Sequence, residues 1–328
     1  MKQRLILGLS VLILIALIVL IVLDFFRGPS SKAPNPDMYS IDKLKQIDSS
    51  QICYREIREL KTTLKNFTAI VLDDELNAYV CSDKEVQVYN KDWKMLFSFR
   101  VDSNLSSIAL DPGKAIYLGL ANHVEVFDMK GKRMAVWKPY LEDSYFTSLA
   151  SMGKDIYAAD AQNSIILRYD DQGRLINTIG KKDTTKGVKG FIIPSLYFDI
   201  AAGPYNELWA ANTGMHQLEH FSPEGELLSS WGTASMSLEG FAGCCNPVHF
   251  AILQNGYFVT YEKGLDRIKL YDPVGKYVCA VTGPAEVNEK SLNTCTISAP
   301  IHDLAVDRDG NIYALDGQSM LVRVYARK

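Results

Sequence analysis

Residues 302–328 read HDLAVDRDGNIYALDGQSMLVRVYARK. A short apolar run, Leu304 to Val306, meets a turn rich in Asp, Gly and Asn. A second run follows with an aromatic at Tyr313, then a small polar loop, then a third run that ends in Tyr325. Aromatic and β-branched residues in short runs, separated by such turns, predict antiparallel strands joined by hairpins.

The same unit recurs upstream. Its six starts are TAIVLD at 68, SSIALD at 106, TSLASM at 147, FDIAAG at 198, HFAILQ at 249 and HDLAVD at 302. The second strand of the unit carries Tyr79, Tyr117, Tyr157, Trp209, Phe258 and Tyr313, and the third carries Tyr89, Phe127, Tyr169, Phe221, Tyr271 and Tyr325. After the third strand comes a tight turn, Asp128 to Gly131, Asp170 to Gly173, Ser222 to Gly225 and Asp272 to Gly275, followed by a fourth run. Four antiparallel strands repeated six times predict an all-β, six-bladed β-propeller. The first strands are apolar without alternation, as in Ile108 to Leu110. That suits strands beside the axis with a neighbouring blade against each face. The last unit lacks a fourth strand, and an unpaired edge is a liability. The segment ICYREIREL, 52–60, is expected to supply it and close the ring.

Ahead of the propeller, Leu5 to Leu23 contains Ser10 as its only polar side chain. At about 1.5 Å per residue such a helix nearly crosses a hydrocarbon core of roughly 30 Å. Lys2 and Arg4 precede it, which favours a cytoplasmic N-terminus and an extracytoplasmic propeller, periplasmic or at the cell surface. A cleaved signal peptide is the competing reading, but the run is long and leads into Asp24-Phe25-Phe26-Arg27 rather than small residues. The expected organisation is a cytoplasmic tip and transmembrane signal anchor over 1–27, a linker over 28–50 rich in Pro and Ser at its start, and the propeller over 51–328. A net charge of -3 without basic clusters gives no reason to expect nucleic acid.

Three stretches carry a family resemblance: GNIYALDGQSMLVRVY (310–325), NHVEVFDMKGKRM (122–134) and ELWAANTGMHQLEHFSPEGELLSSWG (207–232) resemble NHL repeats. GCCNPVHFAI (243–252) together with VTYEKGLDRIKLYDPVGK (259–276) is similar to a group of bacterial membrane-anchored or secreted NHL-repeat proteins with a GCCNP motif. The resemblance implies a six-bladed propeller and leaves function open, since propellers host many activities.

Candidate chemistry gathers in the later units, whose entering loops, 181–196, 233–247 and 284–300, are long. His249 and His302 occupy the same place in the six starts and are expected near each other at the channel mouth. His123 and His216 fall where NHL repeats commonly carry a structural histidine. NHL-like amidating lyases bind zinc through channel histidines, so the resemblance makes His249 and His302 candidate ligands of a divalent metal. Asp303, Asp316 or Glu262 would complete the set, because two histidines alone fall short of the three or four protein ligands zinc prefers. Cys244, Cys245, Asn246 and Lys263 join the candidate binding face. Cys244 or Cys245 bridged to Cys295 is one expectation; a bond between the neighbours, free thiols and metal ligation are the others. Cys53 and Cys81 read as buried strand residues. No nucleophile elbow or phosphate-cradling loop is present. The functional expectation is therefore a membrane-anchored binding or scaffold module that holds a protein partner or small ligand on its upper face. A metal-dependent hydrolase or lyase at the channel mouth is the alternative.

Overall fold

The hairpins form as the turn chemistry dictates. In the turn after the third strand of the second unit, Asp128 Oδ1 accepts from the Lys130 and Lys132 amides at 2.9 Å each, and Gly131 closes the turn at φ +80°. Asp170 and Asp272 repeat this pattern, with Gly173 and Gly275 at φ +76° and +82°. Only glycine takes that backbone conformation without strain.

The computed structural model describes residues 15–19, 44–111, 114–185, 189–283 and 301–328. Strand β1 (Tyr54–Lys61) comes first in the chain. The blades then follow in order: β2 (Phe67–Leu72), β3 (Ala78–Ser82), β4 (Glu85–Tyr89) and β5 (Met95–Arg100) form the first. The second holds β6 (Leu105–Asp111), β7 (Ala115–Leu120), β8 (His123–Phe127) and β9 (Arg133–Val136), and the third β10 (Phe146–Met152), β11 (Asp155–Asp160), β12 (Ile165–Tyr169) and β13 (Leu175–Ile179). The fourth holds β14 (Ile200–Ala202), β15 (Leu208–Asn212), β16 (Gln217–Phe221) and β17 (Leu227–Trp231). The fifth holds β18 (His249–Ile252), β19 (Phe258–Glu262), β20 (Arg267–Tyr271) and β21 (Tyr277–Thr282). The sixth has β22 (Ile301–Val306), β23 (Ile312–Asp316) and β24 (Leu321–Arg327), and β1 pairs antiparallel with β24 as its outer strand. The protein is thus an all-β propeller of six four-stranded blades.

That last pairing carries a charged clamp. Arg323, nearly buried on β24, donates to Asp316 Oδ2 at 2.8 Å and to Glu56 and Glu59 of β1 at 3.0 and 2.8 Å. Burial pulls the guanidinium pKa down, but the Asp316 hydrogen bond and the charges of Glu56 and Asp316 outweigh it and hold it above its ordinary range. A disulfide, Cys53–Cys279, ties the segment before β1 to the outer strand of the fifth blade with Cα atoms 5.9 Å apart. The Cys53 amide also donates to Ala280 O, and the Lys328 amide to Cys53 O. Cys53 is therefore not a plain core residue, and Cys279 is its partner. Cys81 is buried in β3, as expected of it.

Aromatics fill the seams between blades. Trp137 packs on Tyr117 of the second blade and Tyr169 of the third, with centroids 5.6 and 5.4 Å apart. One column of the sequence alignment needs correction. The third-strand aromatics pair across with Ala78, Ile116, Ile156, Leu208 and Ile312, but in the fifth blade Tyr271 pairs with Phe258. The fifth-blade residue equivalent to Tyr79 is therefore Val259. A one-residue slip turns a strand side chain to the opposite face, and Phe258 instead meets Trp209 and Trp231 at 4.7 and 5.0 Å.

Among the described residues no helix is long and apolar enough to cross a membrane. The expected anchor falls almost wholly outside the described residues. Ile15 to Val19 is helical, with its apolar side chains exposed.

Candidate functional site

The register correction decides what the axis presents. In β22 Ala305 pairs with Tyr313, in β14 Ala201 pairs with Trp209, and in β18 Ala251 pairs with Val259. Counting back two residues from each places Asp303, Asp199 and His249 at one repeat position in three adjacent blades. The same count in blades one to three gives Ala69, Ser107 and Ser148. His249 is therefore equivalent to the two aspartates and not to His302, whose counterpart in the fifth blade is Val248. Asp199 escaped the sequence reading, although its signal was present in FDIAAG beside HDLAVD.

Ligand atoms of Asp199, His249 and Asp303 all lie within 4.8 Å of one another. Asp199 is buried and the other two are partly buried. Each aspartate also latches its neighbouring blade. Asp199 Oδ2 accepts from the Phe250 amide at 2.9 Å, and Asp303 Oδ2 accepts from the Ile70 amide at 2.8 Å. Ser148 Oγ performs the same service for the Ile200 amide at 3.2 Å and donates to Asp199 Oδ1 at 2.6 Å. His249 Nδ1 lies 3.8 Å from Asp199 Oδ2, with Tyr261 and Tyr197 beside its ring. Burial, reinforced by the negative charge of Asp199, pushes the Asp303 carboxyl up to about 7, against the pull of His249 and of two backbone amides. Near neutral pH Asp303 is thus poised between its protonated and ionised forms.

The cluster stands where two spaces meet. A cavity of ≈ 240 Å³ lies along the axis among the first strands, and a second of ≈ 400 Å³ forms the mouth. Asp199 and His249 line both. The mouth adds Asp83 and the rings of Phe67, Tyr145, Tyr197 and Phe198. Neither lining includes a lysine or arginine among the described residues.

Other expected site residues have structural partners. His302 lines both spaces but spends Nδ1 on the Phe67 carbonyl at 2.6 Å, a seam between the last and first blades. Burial lowers its pKa, which keeps the ring neutral. Glu262 and Asp316 are wholly buried. Glu262 pairs with Lys269 Nζ at 3.0 Å and accepts from the Ala242 amide, so it braces the entering loop. Asp316 pairs with Arg323, as described above, and caps the loop amides of Gln318 and Ser319. Asn246 is buried too, and its side chain bonds Ala242 O at 2.6 Å and the Lys263 backbone at 2.9 and 3.1 Å. Lys263 extends its ammonium over the Tyr197 ring, 4.2 Å from the centroid. Cys244 and Cys245 are free thiols with Sγ atoms 3.1 Å apart. Cys295 lies outside the described residues.

No family model matches the chain, and no curated protein sequence matches it. Solved structures do. A streptogramin B lyase is similar over 86% of this chain and 100% of its own, at 12% identity and a TM-score of 0.58. A virginiamycin B lyase from Staphylococcus aureus is similar over 82% and 88%, at 15% identity and a TM-score of 0.54. A protein of unknown function from Bacteroides caccae is similar over 67% and 82%, at 13% identity and a TM-score of 0.53. At such identities the likeness is one of fold.

Proposed function

We propose that this chain is a membrane-anchored, extracytoplasmic NHL-type propeller that binds a small cationic ligand at the mouth of its axial channel. The observation that carries the reading is the convergence of Asp199, His249 and Asp303 at one repeat position, beside a mouth lined by Asp83 and aromatic rings and, among the described residues, by no lysine or arginine. Carboxylates supply the counter-charge, and aromatic faces attract a cation by their quadrupole. The Cys53–Cys279 bond supports an oxidising compartment, and the apolar run Leu5 to Leu23 supports the anchor.

A second reading is a metal-dependent lyase or hydrolase. One imidazole and two carboxylates within 4.8 Å form a donor set suited to a divalent cation, with coordination positions left for water and substrate. The lyases among the structural neighbours give this reading a precedent on the same fold.

Calorimetry on the full chain in detergent micelles separates the two, using tetramethylammonium and spermidine against Mg²⁺ and Mn²⁺. Saturable binding of the organic cations, lost in D199N/D303N, is the expected result. Binding of the metals alone, with opening of a streptogramin B by the loaded protein, would establish the second reading. If none of these binds, the mouth is not a cation site and both readings fall.

A further inference from the structure

The dipeptide Cys244-Cys245 takes no part in the axial cluster, yet it is held with unusual care. Ala242 before it donates its amide to the buried Glu262 carboxylate, itself anchored by Lys269. Asn246 after it is clamped to Ala242 O and to both backbone groups of Lys263. Both ends of the dipeptide are thereby fixed, and the two sulfurs are brought to 3.1 Å. Cys244 is exposed and Cys245 buried. Val248, three residues on, lines the mouth.

We propose that Cys244 and Cys245 are a reversible dithiol–disulfide couple at the rim of the mouth, exchanging with disulfide-bearing molecules. The exposed Cys244 thiolate attacks one sulfur of an incoming disulfide, whose other half leaves as a thiolate and takes a proton. A mixed disulfide then stands on Cys244. Cys245, already beside it, gives up its proton, attacks the Cys244 sulfur and expels the second thiol. Two thiols of the chain lose two electrons and two protons, and one disulfide is reduced to two thiols. An accessible attacking thiol poised beside a resolving cysteine is an arrangement that supports such exchange.

The product is easily reopened. Adjacent residues joined by a trans peptide have Cα atoms about 3.8 Å apart, below the roughly 4.4 Å where unstrained disulfides begin. A strained bond of this kind is the more reducible one. Cys53–Cys279, at 5.9 Å between Cα atoms, falls inside the ordinary range. Of the other cysteines, Cys81 is buried within β3. The hydrogen bond to Cys245, followed by partial burial, holds the Cys244 thiol above its ordinary range, with the Lys263 charge pulling the other way. Exchange therefore accelerates as the pH rises above neutrality.

The test uses the full chain in detergent, first reduced with glutathione, then exposed to oxidised glutathione, alkylated and mass-mapped without further reduction. The peptide carrying both cysteines is expected to appear unalkylated and lighter by two hydrogens. Returning reduced glutathione should restore two alkylatable thiols and leave Cys53–Cys279 closed. C245S should stop at glutathione attached to Cys244, and C295S should behave as the wild type. A bridge from Cys244 or Cys245 to Cys295 would overturn the proposal. So would two alkylated thiols after oxidation, or a wild-type protein that stops at the mixed disulfide.

Discussion

The first three blades and the last three share a backbone, but not what they present to the axis. Ala69, Ser107 and Ser148 stand where Asp199, His249 and Asp303 stand on the other side of the ring. Ser148 latches its neighbour with a neutral hydroxyl, and Asp199 and Asp303 make the same latch with an ionisable group. A hydroxyl suffices for the seam, so the charge in the later half exceeds what folding needs there. Burying like charges costs stability, and the proposed binding role accounts for that cost.

The contrast repeats in the third strands, where Gln87 and Arg323 occupy one position. The largest expected effect is here. Arg323→Met strands the buried Asp316 carboxylate and releases β1, and should cost about 3–5 kcal/mol in denaturant unfolding. Gln87→Met removes hydrogen bonds to Thr63, Glu85 and Tyr89 and should cost about 1–2 kcal/mol. Equal losses at the two positions would erase the asymmetry.

Next in size is a pH effect. The folded-state value of Asp303, near 7, lies above its unfolded value of 3.8. The protonated form favours folding, so its contribution is complete below about pH 4 and is lost as pH rises through 7. Without divalent cations, D303N should gain on the wild type by roughly 2–4 kcal/mol between pH 4 and pH 8. A difference that stays flat with pH would show that the carboxyl titrates normally. Cation affinity should move the opposite way and rise through pH 7, as the Asp303 carboxyl ionises.

In binding itself, D199N/D303N should lower affinity for the organic cation at least 100-fold, about 2.7 kcal/mol. The variant S107A, across the ring, should leave it within a few-fold. Comparable losses in both would mean that the whole ring, not its later half, forms the site.

The smallest effect lies among the axial residues of the first three blades. Ser148→Ala removes a latch to Ile200 and a bond to Asp199, and should cost about 1 kcal/mol. Ser107 Oγ is buried without a hydrogen-bond partner, so Ser107→Ala should be neutral or slightly stabilising. Thermal unfolding of the two variants distinguishes them.

The six-fold repeat was legible because each blade rewrites the same local signals. Asp128, Asp170 and Asp272 open turns that depend on a few neighbouring residues, and the third-strand aromatics recur with them. The fifth blade shows the limit. Tyr257 and Phe258 are adjacent aromatics, and only the pairing of Val259 with Ala251 reveals which residue faces which seam. That one residue hid the equivalence of His249 with Asp199 and Asp303. The partner of Cys279 was hidden for a different reason, since Cys53 lies 226 residues away.

By itself the sequence determined the number of blades and the strand content. Turn geometry and strand alternation are short-range properties written within each unit. Tertiary structure alone decided which side chains meet at the axis, that Glu262 and Asp316 are braces, and which cysteines are bonded. Those outcomes depend on strand register and ring closure. A single-residue change in register reverses a side chain, and closure joins residues from opposite ends of the chain.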